Sequence, residues 1–254
     1  MEGVRLGDSP GWVLSLYPSA GEGGGYFRSS YARKGAYVAR GSASDPVRAA
    51  REAGRRARGR LRRYCAANRL NRLGTLTYRG EGCHDVQQVR ADVGEFFRNV
   101  RAGLDGEPLP YVWVPEWHKS GHGLHLHFAV GRFVKRSLID DAWGRGFVHI
   151  KLLGDLGHGA TALDEARRAA GYLSKYVTKT FTDPGARVLG LHRYDVGQGF
   201  QPTKISLFAK SPDALIDQAS QTLESAPTYL WTSEREADWQ GAPAFFAQWP
   251  VSRG

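Results

Sequence analysis

Gly123-Leu124-His125-Leu126-His127-Phe128-Ala129-Val130 alternates apolar and polar side chains from Leu124 to Phe128, the period-two signature of a half-buried strand. Leu124, Leu126, Phe128 and Val130 then face a core, while His125 and His127 point together from the other face. Two imidazoles about 7 Å apart along one strand can converge on a single metal ion. A half-exposed strand that merely carries two histidines explains the same pattern, and two other segments bear on the choice.

Upstream, Tyr111-Val112-Trp113-Val114-Pro115-Glu116-Trp117-His118 is aromatic and β-branched and reads as a second strand. Lys119-Ser120-Gly121-His122 supplies turn chemistry between the two. A hairpin closing on Ser120-Gly121 places Glu116 directly opposite His125. Glu116, His125 and His127 would then offer one carboxylate oxygen and two imidazole nitrogens to one ion. Mixed nitrogen and oxygen ligation with open positions suits Mg²⁺ or Mn²⁺, or Zn²⁺ in a catalytic site. A solvated strand carboxylate is the plainer explanation of Glu116 taken alone.

Downstream, Leu163 to Phe181 reads as an amphipathic helix. Leu163, Ala166, Ala170, Leu173, Val177 and Phe181 form its apolar stripe, and Tyr172, Lys175, Tyr176 and Lys179 cluster on a different face. A tyrosine hydroxyl is a poor nucleophile at neutral pH, since its pKa lies near 10. Neighbouring lysines and a metal-bound phosphate make it competent. Amphipathic tyrosines and snorkelling lysines on a surface helix account for the same residues without chemistry.

An acid, then His-hydrophobic-His, then Tyr-x-x-Lys resembles the HUH endonucleases, and within them the rolling-circle replication initiators. Leu73-Gly74-Thr75-Leu76-Thr77-Tyr78 resembles the first strand motif of those initiators, and all four elements stand in the initiator order. The resemblance covers roughly residues 69–181, with a weaker echo in 192–200. It implies a divalent ion on Glu116, His125 and His127, and in-line attack by a tyrosine on the scissile phosphate of single-stranded DNA. The implied products are a 5′-phosphotyrosine and a free 3′-hydroxyl that primes replication. Lys175 and Lys179 would offset charge developing in the phosphoryl transition state. Relaxases of this superfamily place their tyrosines before the histidines and use three histidines, so the order here disfavours that subclass. Tyr172 and Tyr176 resemble the pair of two-tyrosine initiators, and each satisfies Tyr-x-x-Lys, so the sequence leaves open whether one or both react.

Composition points to a polyanionic partner. The chain has 254 residues and a net charge of +10. Ten arginines and one glutamate lie between Arg48 and Arg72, in a segment expected to be largely helical despite Gly54 and Gly59. Arg55, Arg56, Arg62 and Arg63 are its candidate DNA contacts. Such charge confers affinity without sequence choice. The segment lacks the apolar face that lying on a membrane requires, and no run is long enough to span one. Two cysteines give neither a disulfide framework nor a Cys-x-x-Cys metal site, and the natural compartment is a reduced cytoplasm. Gly21-Glu22-Gly23-Gly24-Gly25 lacks the lysine and hydroxyl residue of a phosphate-binding loop, so replication would need a host helicase and polymerase in trans.

The expected fold class is α+β: a central antiparallel sheet of the ferredoxin-like HUH type with helices on one face and the metal ligands on the other. Residues 1–44 read as an N-terminal extension with a possible edge strand at 11–17. Residues 45–182 read as the nicking core, including the arginine helix and a crossover helix from Val86 to Leu104 capped by Asp85. Residues 183–254 read as a C-terminal extension packed on the core. Rival functions are a single-strand transposase, expected to be shorter and without the arginine helix, and a non-enzymatic RNA- or DNA-binding module with a structural metal. That module would need aromatics where Thr75, Thr77, His125 and His127 stand. A cupin-like oxygenase would carry a further acid after the second histidine, and Phe128-Ala129-Val130-Gly131-Arg132 holds none.

Overall fold

The structure is a computed structural model and describes residues 9–29, 39, 42–152, 160–188 and 190–251. In chain order the strands are β1 (Gly11–Tyr17), β2 (Glu22–Arg28), β3 (Arg72–Tyr78), β4 (Tyr111–Trp117), β5 (Leu124–Val130), β6 (Gly146–Leu152), β7 (Asp195–Val196), β8 (Ile205–Ala209), β9 (Tyr229–Thr232) and β10 (Ala244–Gln248). The α-helices are α1 (Pro46–Ala67), α2 (Val86–Ala102), α3 (Arg136–Trp143), α4 (Ala162–Thr182) and α5 (Pro212–Leu223). The chain is therefore α+β, with two antiparallel five-stranded sheets. It divides into two compact units, one of residues Gly41–Gln201 and one combining Met1–Arg40 with Pro202–Gly254.

In the first unit the sheet runs β6-β3-β5-β4-β7. β3, α2, β4, β5, α3 and β6 follow one another as a split β-α-β repeat, whose strands lie in the order fourth, first, third, second. The two faces of this sheet differ in chemistry. Leu76, Leu124, Leu126, Phe128 and Val130 project to one side and make a core with Val89, Val93, Phe96 and Phe97 of α2 and Ile139 and Trp143 of α3. Each such side chain, fully withdrawn from water, contributes about 1.5–3 kcal/mol. Gly74 sits opposite Phe128 in the β3–β5 register, and a Cβ there would lie 2.1 Å from the Phe128 ring. The glycine of the Leu-Gly-Thr run thus makes room for an aromatic of the histidine strand.

α2 begins at Val86 as expected, because the Asp85 carboxylate accepts hydrogen bonds from the Gln87 and Gln88 amides. α4 begins with a capping box between Thr161 and Asp164 and ends at Asp183. Helices occupy both faces of the sheet rather than one. α2 and α3 cover the apolar face as expected, while α1 and α4 pack together on the other. Leu61, Tyr64 and Cys65 of α1 meet Ala170, Leu173 and Val177 of α4 over Val112, Val114 and Ala129 of the sheet. α1 therefore has a buried stripe near its C-terminal end in addition to its arginines.

In the second unit the sheet runs β8-β1-β2-β10-β9, so strands from both ends of the chain interleave. β1 was expected at an edge and lies instead between β8 and β2. α5 covers one face, over Leu14, Leu16, Phe245, Ala247 and Trp249. Among the described residues no helix is long and apolar enough to cross a membrane.

Candidate active site

The face of the first sheet under α1 and α4 changes character along its length. Val112, Val114 and Ala129 form its apolar end. Glu116, His125 and His127 continue the same two rows, with Glu116 paired to His125 and Val114 to His127. The hairpin register is the one expected from the Ser120-Gly121 turn. Gly123 opens β5 at φ +77°, where the Cys83 backbone approaches within 2.4 Å of a would-be Cβ, so only glycine fits.

His127 is the hub. It is 8% exposed. Its Nε2 donates to Glu116 Oε2 at 3.0 Å, and its Nδ1 lies 3.1 Å from the Thr75 hydroxyl on β3. The Tyr176 ring stacks on it, with centroids 4.0 Å apart and planes 16° apart. Lys179 Nζ lies 3.7 Å from the other Glu116 oxygen. Tyr176 donates a 2.7 Å hydrogen bond to the Tyr172 oxygen, and Lys175 Nζ sits 5.8 Å from the Tyr172 ring centre. The helix stripe explains this meeting. Ala166, Ala170, Leu173 and Val177 are buried, so the residues one step round the helix, Tyr172, Tyr176 and Lys179, fall at the rim above the histidines.

Charges and burial set the proton affinities. Burial alone would raise the Glu116 carboxyl, but the hydrogen bond and charge of His127, with Lys179 and His125, hold it below its ordinary value. Burial and the neighbours His118, His127 and His122 push His125 down to about 4, which keeps that imidazole neutral near pH 7. Burial, the Tyr172 hydroxyl and Glu116 push the Tyr176 phenol up. The two tyrosines are thus unequal. Tyr172 is 41% exposed and accepts a hydrogen bond, whereas Tyr176 is half-buried and donates it.

Four further residues belong to the site. Thr75 positions His127 from β3. His118 stacks on His125 at 4.2 Å, and its Nδ1 accepts from the Ser120 amide at 3.3 Å. His122 Nε2 donates to the Tyr78 carbonyl at 2.9 Å. The spacing His118-x3-His122-x2-His125 across a hairpin was the available signal for the last two. Arg58 of α1 lines an open groove with Ser174, Lys175, Thr178 and Lys179 of α4, bringing the arginine helix beside the tyrosine helix.

Arg55 and Arg56 are exposed on α1, and Arg62 and Arg63 are half-buried. Arg56 and Arg48 pair with Glu52 at 3.5 and 3.4 Å, exposed contacts of small energetic weight. Replacing Arg55, Arg56, Arg62 and Arg63 with alanine is expected to weaken binding to all single strands alike. The slope of log affinity against log salt should fall by up to about 3. A salt titration by fluorescence anisotropy checks this, and an unchanged slope would reduce α1 to a solvated surface.

Metal fit rests on donor chemistry. Glu116, His125 and His127 present one carboxylate and two imidazoles on one face, and His125 Nε2 is buried without a hydrogen-bond partner. A buried orphan nitrogen is costly unless something ligates it. Glu116 and His127 are bonded to each other, and among the described residues no group of three His, Cys, Asp or Glu side chains forms a closed cage. The donor set suits a divalent ion that displaces the proton shared by Glu116 and His127.

Residues 71–181 match the model of a family of replication-associated proteins of the ORF2 type. That span runs from the start of β3 to the end of α4 and holds Thr75, Glu116, both histidines, both tyrosines and both lysines. No curated protein and no solved structure matches the chain.

Proposed function

We propose that this protein initiates DNA replication by nicking a single strand at an origin, with a tyrosine of α4 as nucleophile. One observation carries the reading: side chains from β3, β4, β5 and α4 meet on His127, all within the segment that matches a replication-associated family.

The reaction exchanges one phosphodiester for another. The tyrosine oxygen bonds to phosphorus as the bond from phosphorus to the 3′ oxygen breaks. The phenolic proton is lost and the departing 3′ oxygen gains one. The 5′-phosphate stays on the tyrosine, and the bond energy kept there permits later rejoining without ATP. Glu116, His125 and His127 would hold Mg²⁺ or Mn²⁺, which when bound supplies Lewis-acid polarisation of the scissile phosphate. Thr75 fixes the His127 ring, and His127 in turn fixes Tyr176. Tyr176 donates to the Tyr172 oxygen, which favours the phenolate of Tyr172. Lys175 and Lys179 place positive charge beside the attacking oxygen. The arginines of α1 hold the strand, and a helicase and polymerase act in trans.

The test is direct. The protein is mixed with single-stranded oligonucleotides tiling its own replicon and with Mn²⁺, then run on a denaturing gel. A covalent protein–DNA band is expected with one or a few oligonucleotides, and excess EDTA should remove it. Absence of any adduct across the full tiling would refute the nicking reading.

A further inference from the structure

We infer that the second unit carries a separate binding face for single-stranded nucleic acid, on the side of its sheet opposite α5. The strand registers put Tyr26, Phe208, Phe246, Trp231 and Tyr229 on that one side. In contrast, Leu14, Leu16, Phe245 and Ala247 face α5. Tyr26, Phe208 and Tyr229 are 47%, 39% and 50% exposed.

A single exposed aromatic is ordinary. Five on one side of a five-stranded sheet form a patch that water disfavours. Their arrangement suits bases. Phe208 and Tyr26 lie in one row with Val13 between them, about 10 Å apart at the usual strand spacing. Phe246 and Trp231 are paired in the next row, and Tyr229 lies 6.2 Å from Phe246. Ser15, Ser206 and Gly24 leave the space between low, and a Cβ on Gly24 would meet nothing within 4 Å. The rings therefore step diagonally across the sheet with gaps a base can enter.

Charge selects the partner. Arg28 lies over the Phe208 ring at 5.7 Å, and Lys204 and Lys210 flank β8 in the phase of Ser206 and Phe208, both exposed. Glu22 is the carboxylate that the five strands carry, and it is 1% exposed. Glu236 binds the Trp231 indole N–H at the β9 end, so a phosphate backbone is best placed along the β8 side. Stacking platforms edged by basic residues hold single strands with little regard to sequence. This face would hold DNA or RNA through residues none of which belongs to β3–β5 or α4, whether or not those elements nick it.

The experiment uses the full chain with EDTA and no added metal, so that binding is read without cleavage. The probes are labelled homothymidine and homouridine strands of about 20 nucleotides, longer than one sheet module occupies. Tyr26→Ala with Phe208→Ala and Tyr229→Ala is expected to weaken both at least about tenfold. Tyr26→Phe with Tyr229→Phe should bind within about twofold of the parent, because the ring and not the hydroxyl stacks. Ultraviolet crosslinking of the unmodified chain to homothymidine should mark peptides of β2, β8 or β9. Three results would overturn the assignment: unchanged affinity in a triple alanine variant of normal circular dichroism, crosslinks confined to Gly41–Gln201, or a concentration-dependent dimer of the parent that the alanine variant loses. The last would assign the face to a second copy of the chain.

Discussion

His127→Ala is expected to remove covalent adduct formation almost entirely, by on the order of a thousandfold, the scale of losing an electrostatic stabiliser of the transition state. The substitution cuts three connections at once: Glu116 loses its 3.0 Å partner, Thr75 loses its 3.1 Å partner, and Tyr176 loses the ring on which it stacks. His125→Ala removes the orphan nitrogen but leaves the Tyr176 platform in place. Its adduct should also vanish if His125 is a ligand. Affinity for single-stranded DNA without metal should stay within about threefold in both variants, since phosphate contacts by arginines dominate it. Adduct is read on denaturing gels and affinity by anisotropy. Full cleavage by the double alanine variant, or cleavage undiminished in excess EDTA, would sink the metal assignment.

The second large effect concerns which tyrosine attacks. Both stand above His127, one helical turn apart, and only one can attack in line in a given step. The hydrogen bond between them breaks the symmetry. Tyr172 accepts it, is more open to solvent and has Lys175 near its ring. Tyr176 donates it, and burial raises its phenol. Tyr172→Phe is therefore expected to reduce the first adduct on the order of a hundredfold or more. Tyr176→Phe, which loses the donor to Tyr172, should cost about tenfold, the scale of one charge-assisted hydrogen bond. The double variant should form none. Mass spectrometry of the DNA-linked peptide assigns the site. A label solely on Tyr176, with Tyr172→Phe at the parental rate, would reverse the roles and leave the endonuclease reading standing.

Much of the site was legible in the chain because it is local. A period-two strand fixes which side chains share a face, and a four-residue turn fixes register, so Glu116 opposite His125 follows from residues within ten positions of each other. Helical periodicity likewise separated Leu173 and Val177 from Tyr172, Tyr176 and Lys179 before any fold was known. The crossover helix and its Asp85 cap are local in the same sense. Only the tertiary structure decided that α1 and α4 would pack on the histidine face, that Tyr176 rather than Tyr172 would stack on His127, and that Thr75, 52 residues away, would stand behind it. It also joined β1 and β2 to β8, β9 and β10 in one sheet, although nearly the whole chain lies between them. Strand pattern states which face is apolar but not which partner covers it. Pairing between distant strands depends on loop closure and on the packing of complementary surfaces, and neither leaves a trace in local periodicity.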